Sequence, residues 1–235
     1  MTNPVIRICD EAFTPDPLGG LFWAREKTLI VSDLHFEKGS SFAERGVLLP
    51  PYDTKTTIDR VRALMRRYAP GRVISLGDAF HDGRAEDRLD ANDLQALADL
   101  VKSVEWIWIE GNHDPAPPKR LAARSEKQLR IGEISFVHEP TANARGEIAG
   151  HLHPCASIVH ERRRLRRRCF AVGAEQIVMP ALGAYTGGLN ILDLAFESLG
   201  AVFQPWVMGE KGVYPIARDK IRPDTLRRHG DRAAS

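Results

Sequence analysis

Five short apolar runs, each cut off by a small set of polar residues, constrain this chain more than any other feature. They are Thr28-Leu-Ile-Val31, Arg72-Val-Ile-Ser-Leu76, Trp106-Ile-Trp-Ile109, Ile134-Ser-Phe-Val137 and Ile148-Ala149. Runs that are continuous rather than alternating, and rich in β-branched or aromatic residues, predict strands buried on both faces. Between the first two, Ile58, Val61, Leu64, Met65 and Tyr68 recur at helical spacing, with Arg60, Arg62, Arg66 and Arg67 mostly on the opposite face. Leu94, Leu97, Ala98 and Val101 repeat that spacing before the tryptophan run. The order strand–helix–strand–helix–strand predicts an α/β core. From Ile148 onward strands dominate, at Ser157–His160, Cys169–Val172, Gln176–Met179 and Leu189–Leu194, which predicts a second, more antiparallel sheet packed on the first. No repeat, low-complexity linker or change in composition marks a boundary, so a single domain over residues 1–235 is expected, ending in a basic tail at about 218–235.

The polar residues that end the runs carry the chemistry. They read Ser32-Asp33-Leu34-His35, Gly77-Asp78, Gly111-Asn112-His113-Asp114, His138 and Gly150-His151-Leu152-His153. Ligands of open α/β sheets bind at the carboxyl ends of the strands, so these five ends are expected on one edge. Asp-x-His after a strand, Gly-Asp in a turn and a lone His138 are each ordinary. GNHD and GHLH are much rarer strings, and the five in this placement favour a shared site. Carboxylate, imidazole and amide oxygen together suit Mn, Fe, Zn or Ni better than Mg or Ca. The donors are too many for one ion and about right for two, and a pair of ions roughly 3.5–4 Å apart is a known clamp for a phosphoryl group.

The ordered set D-x-H, G-D, G-N-H-D, H, G-H-x-H across Asp33 to His153 resembles the calcineurin-like metallophosphoesterase superfamily. The resemblance implies two mixed β-sheets packed as a sandwich and flanked by helices, an αββα arrangement. It implies one metal on Asp33, His35, Asp78 and His153, and another on Asp78, Asn112, His138 and His151, with Asp78 as the bridge. It places His113 at the substrate, with Asp114 as its orienting partner. The strings LHFEKG (Leu34–Gly39), LGDAFHDG (Leu76–Gly83) and GAYTGGLN (Gly183–Asn190) are similar to the bacterial ligase-associated DNA damage response endonuclease family, PdeM. That likeness implies a Mn2+-dependent phosphodiesterase or endonuclease acting on DNA, with a DNA ligase and other repair proteins as partners. A phosphodiesterase for small or cyclic nucleotides, a phosphoprotein phosphatase and a metal-containing binding module are the alternatives.

Lys38 and His81 follow the first two motifs closely and are candidates for substrate contact, a polar turn being the alternative for His81. The net charge of +2 implies no partner, but its distribution is uneven. His160 to Cys169 reads HERRRLRRRC, a hairpin whose Arg163, Arg164, Arg166 and Arg167 either meet a nucleic-acid backbone or decorate a solvated loop. No run approaches the roughly 20 apolar residues of a membrane span. The first residues lack a secretory pattern, and three irregularly spaced cysteines fit a reducing compartment, so a cytoplasmic protein is expected.

Overall fold

The computed structural model describes residues 4–224 apart from 116, 117, 119, 122 and 162; the end of the basic tail, including His229, therefore lies outside the described residues, as does Arg162. The chain lays down one sheet and then the other. The first contains β1 (Ile6–Ile8), β2 (Glu11–Pro15), β3 (Leu21–Trp23), β4 (Thr28–Ser32), β5 (Arg72–Leu76), β6 (Glu105–Ile109) and β7 (Arg124–Glu126), paired in that order. Pairing is antiparallel from β1 to β4 and parallel from β4 to β7. The parallel crossovers carry α1 (Lys38–Glu44), α2 (Asp53–Tyr68), α3 (Ala85–Arg88) and α4 (Ala91–Lys102).

The second sheet contains β8 (Leu129–Ile131), β9 (Ile134–Val137), β10 (Glu147–Ala149), β11 (Cys155–His160), β12 (Arg163–Val172), β13 (Gln176–Val178), β14 (Gln204–Met208), β15 (Val213–Pro215) and β16 (Ile221–Arg222). Its ladders are antiparallel except where β10 pairs parallel to both β9 and β13. A short α5 (Leu194–Glu197) precedes β14.

Period-two alternation explains why the central strands read as unbroken apolar runs. Ile30, Ile74, Leu76, Ile107 and Ile109 point between the sheets, where they meet Ile134, Phe136, Ile148, Phe170 and Ile177. Their neighbours Leu29, Val31, Val73, Trp106 and Trp108 point outward beneath α2 and α4, against Ile58, Val61, Leu64, Leu97 and Val101. On the far face of the second sheet, Ala156, Cys169 and Ala171 pack under Phe196, Leu199 and Phe203. Two mixed sheets thus form a sandwich with helices outside, each buried aliphatic or aromatic side chain contributing about 1.5–3 kcal/mol. No helix among the described residues is long and apolar enough to cross a membrane.

The stretch expected as a strand at Leu189–Leu194 is not one. It makes a single bridge, Asn190 to Cys155, and then turns into α5, because the Asp193 carboxylate caps that helix by accepting from Ala195 N at 3.0 Å. The strand expected at Cys169–Val172 extends back to Arg163, so the arginine segment is mostly ladder rather than loop.

Candidate metal centre

Parallel strands from both sheets end side by side at one edge. β4, β5 and β6 are in register there, Ser32 opposite Leu76 and Leu76 opposite Ile109, and they deliver Asp33, Asp78 and Asn112. β9 and β10, also parallel, deliver His138 and His151. Contacts cross between the sheets: His138 Nδ1 lies 3.0 Å from Leu76 O, and His151 N donates to Asp33 Oδ2 at 3.1 Å.

The donors fall into two groups. In one, His153 Nε2 lies 3.1 Å from Asp33 Oδ1 and 3.3 Å from His35 Nε2. In the other, His138 Nε2 lies 3.4 Å from Asp78 Oδ1, 2.8 Å from Asn112 Oδ1 and 3.2 Å from His151 Nδ1, and His151 Nδ1 lies 3.1 Å from Asn112 Oδ1. Asp78 faces both groups, since its Oδ2 is 4.0 Å from His35 Nε2. These separations fit metal binding. Donors at roughly 2.0–2.2 Å from one ion, at tetrahedral or octahedral angles, stand about 2.8–3.5 Å apart. Ring nitrogens facing each other also need either a proton or a cation between them.

The backbone is bent to reach this arrangement. Asp33, His35, Asp78, His151 and His153 have φ of 51°, 45°, 44°, 68° and 46°, in the left-handed region that side chains beyond glycine seldom occupy. Such strain is held by surrounding contacts and gathers at functional sites. Two motif glycines permit the crowding. A Cβ on Gly77, itself at φ 67°, would collide with the His138 ring, and one on Gly150 would collide with Ser32 Oγ and lie 2.7 Å from Asp33 Oδ2. Ser32, to which the sequence assigned nothing, hydrogen-bonds Asp33 Oδ2 and so faces the residue it precedes.

Protonation is as uneven as the backbone. Burial opposes charge on Asp33, but His153, His138 and His35 around it hold its pKa below the usual value. Asp78 is likewise lowered: burial works against it, and His138 and the His113 amide outweigh that. His35 is pushed down to about 3, chiefly by burial, and His151 is lowered for the same reason. Burial also opposes charge on His138, yet its hydrogen bond to Asp78 and the charges of Asp33 and Asp78 raise it to about 9. With no ion bound, the buried carboxylates therefore keep a proton on His138.

His113 stands beside this centre and outside both groups. Its amide donates to Asp78 Oδ1 at 3.0 Å, while its ring is 43% exposed with Nε2 4.0 Å from Asp78 Oδ2. The ring stacks on His81 at 5.4 Å and 18°, and His81 stacks in turn on Phe42 at 6.1 Å and 25°. Burial, with the charges of Lys38 and His113, pushes His81 down to about 4. Lys38, the first residue of α1, is half-buried and lowered by burial, close enough to act on both His35 and His81.

Asp114 takes a partner other than the one the motif suggested. Its Oδ2 accepts from Phe80 N at 3.0 Å, and among the described residues no hydrogen bond joins its carboxylate to the His113 ring. It braces the loop that carries Asp78. Burial, reinforced by Asp78, raises it to about 7.

The arginine hairpin divides by strand alternation. Arg164 donates to Pro223 O, and Arg166 binds Asp224 at 3.1 Å and Gly188 O at 2.5 Å, so both serve the chain's own C-terminal segment. Arg163 and Arg167 lie on the other face and are exposed.

A family model described as calcineurin-like phosphoesterase matches residues 26–166. Among solved structures, the Pseudomonas putida nuclease MPE is 25% identical with a TM-score of 0.70, covering 92% of this chain and 100% of its own. The phosphoesterase Yfce from E. coli is 13% identical with a TM-score of 0.41, covering 81% of this chain and 98% of its own. No curated protein matches the chain by sequence.

Two outcomes follow from this geometry. An ion entering the second group displaces the His138 proton, so apparent metal affinity should rise with pH up to about 9, by up to about tenfold per unit. Calorimetric titration of metal-free protein with Mn2+ near pH 7, in buffers of different ionisation enthalpy, should show proton release; none would place the ion elsewhere. Gly150→Ala should displace Asp33 and lower bound metal in elemental analysis, and full metal content in a folded variant would show that the close approach is dispensable.

Proposed function

The chain belongs to the calcineurin-like phosphoesterase family, and from that premise we propose that it is a two-metal phosphodiesterase that cuts nucleic acid. The observation that carries this reading is Asp78, whose two oxygens address separate donor groups from a buried position between them. We assign one ion to Asp33, His35, Asp78 and His153, and the other to Asp78, Asn112, His138 and His151. Manganese is our assignment for both, on the mixed carboxylate–imidazole–amide chemistry of the donors. When bound, two such ions activate a water and neutralise charge on the phosphoryl oxygens.

The remaining residues act on the substrate itself. Lys38 supplies a cation at the phosphate, and the His113–His81–Phe42 stack holds the His113 ring at the mouth of the site. His113 donates a proton to the leaving oxygen, which departs on the side away from the attacking water. Asp114 acts at one remove, by fixing the loop of Asp78 through Phe80 N. The likeness to a nuclease over 92% of the chain supports a nucleic-acid substrate. The similarity of LHFEKG, LGDAFHDG and GAYTGGLN to the ligase-associated endonuclease family supports DNA, in a cytoplasmic repair pathway that includes a DNA ligase.

Metal-loaded protein should hydrolyse bis(p-nitrophenyl) phosphate faster than p-nitrophenyl phosphate and should nick plasmid DNA. A monoester preference with intact plasmid would refute the nuclease reading. His113→Ala should keep both metals and lose about 10²–10⁴-fold in rate on DNA, whose deoxyribose alkoxide needs protonation as it leaves. The loss should be much smaller with p-nitrophenolate as leaving group. Equal losses on both substrates would make His113 a phosphate-positioning residue instead of an acid.

A further inference from the structure

A cavity of ≈ 270 Å³ is lined by Thr56, Arg60, Arg168, Ala184, Tyr185 and Thr186, with Gly183 in its wall. Its walls are tied to the metal-binding motifs. Leu182 N and Gly183 N donate to Ser32 O at 2.9 Å and Asp33 O at 3.1 Å, while Ala184 N is held by Thr57 Oγ1 at 3.2 Å. Arg168 sits opposite Cys155 in the β11–β12 ladder, two residues beyond His153.

Three other half-buried arginines, Arg62, Arg72 and Arg88, each pair with a carboxylate. Arg218 is half-buried too and donates to Phe203 O at 3.0 Å, but it does not line this cavity. Arg60 and Arg168 are half-buried and have no carboxylate partner among the described residues; each donates only to a backbone carbonyl, Leu182 O at 2.6 Å and Ala181 O at 2.7 Å. A guanidinium offers five N–H donors in a fork that matches phosphate, so most of that capacity remains unused. Burial lowers the pKa of both, and Arg60 lowers that of Arg168 further, so each resists its charge and repels the other. An anion between them relieves both penalties.

We propose that this cavity is a phosphate subsite, where Arg60 and Arg168 hold a non-scissile phosphodiester of the nucleic-acid strand beside the one being cut; the assignment rests on the nuclease reading above. Tyr185, 42% exposed and held at φ 57° with its hydroxyl on Pro50 O at 3.0 Å, stands at the rim, where a ring can stack on a base. The cavity that includes the donors Asn112 and His138 is different. Its ≈ 340 Å³ is bordered by Glu110 and Glu139 with one cation, Lys127. The strand's charge therefore favours the arginine side.

The test compares kcat/KM on a short DNA oligonucleotide with that on thymidine 5′-(p-nitrophenyl) phosphate, a single diester with no flanking phosphate. Arg60→Gln and Arg168→Gln should each lower the oligonucleotide-to-small-diester ratio by about tenfold, mainly through KM, with partial rescue by Arg→Lys. The log–log salt slope on single strands should flatten by about 0.7 for the lost contact. Should either Gln variant fail to fold, Thr56→Glu leaves both backbone bonds in place and puts a carboxylate against the arginines, with the same loss expected. An unchanged ratio and slope in folded variants would overturn the subsite. Wild-type protein that cleaves the small diester but never the oligonucleotide would instead overturn the nuclease reading. Inorganic phosphate that raises the Tm of the wild type but not of the double Gln variant, with oligonucleotide cleavage unaffected, would assign the cavity to a free anion and refute the strand phosphate.

Discussion

The functional edge of this molecule depends on one fully buried carboxylate. Asp33 ends a strand of the first sheet, yet its oxygens are held by His151 N and His153 Nε2 from a loop of the second. A lone buried carboxylate costs several kcal/mol and would be protonated or expelled. Here the cost is offset by Ser32 Oγ, by that amide and by surrounding imidazoles, and the geometry that offsets it brings the two sheets' strand ends together. Asp78 repeats the device, taking the amide of His113 and the ring of His138. The sandwich core fixes how the sheets stack, and the aspartates fix how their edges meet.

Two buried anions with one imidazolium leave the centre short of positive charge, which makes it a site for cations rather than a self-sufficient polar network. Ions bound there would reverse the local sign, and on the function proposed above the half-exposed face of His113 and His81 would then receive a phosphate. Such a pocket is open on one side by construction. Strand ends supply its floor, and the His113 ring beside it is 43% exposed.

Much of this was legible in the sequence, for a physical reason. Strands buried on both faces must be apolar throughout, so Thr28–Val31 and Trp106–Ile109 announced themselves, and polar ligands could appear only where the strands stopped. The strands before Thr28 were silent because each is three to five residues long, too short for a period to register. Leu189–Leu194 misled because an apolar run does not reveal that Asp193 will cap a helix inside it. Asp114 misled because adjacency in a motif is not contact. A residue in the left-handed region turns the chain sharply, and five such residues at this edge put sequence neighbours on different partners.

The arginines show the same limit most clearly. Six of them crowd between His160 and Cys169, just after the GHLH motif, and a basic cluster there reads as a nucleic-acid surface. Alternation along β12 sends Arg164 to the Pro223 carbonyl and Arg166 to the Asp224 carboxylate, so part of the apparent positive face is engaged within the chain. Arg60 looked like part of a solvated helix face, and Arg168 was the last letter of a charge run. The fold half-buries both, gives neither a carboxylate among the described residues and ties their carbonyl partners to the strand end that carries Asp33. Charge that matters for recognition is charge the protein has not already paired, and that is a property of partners in space.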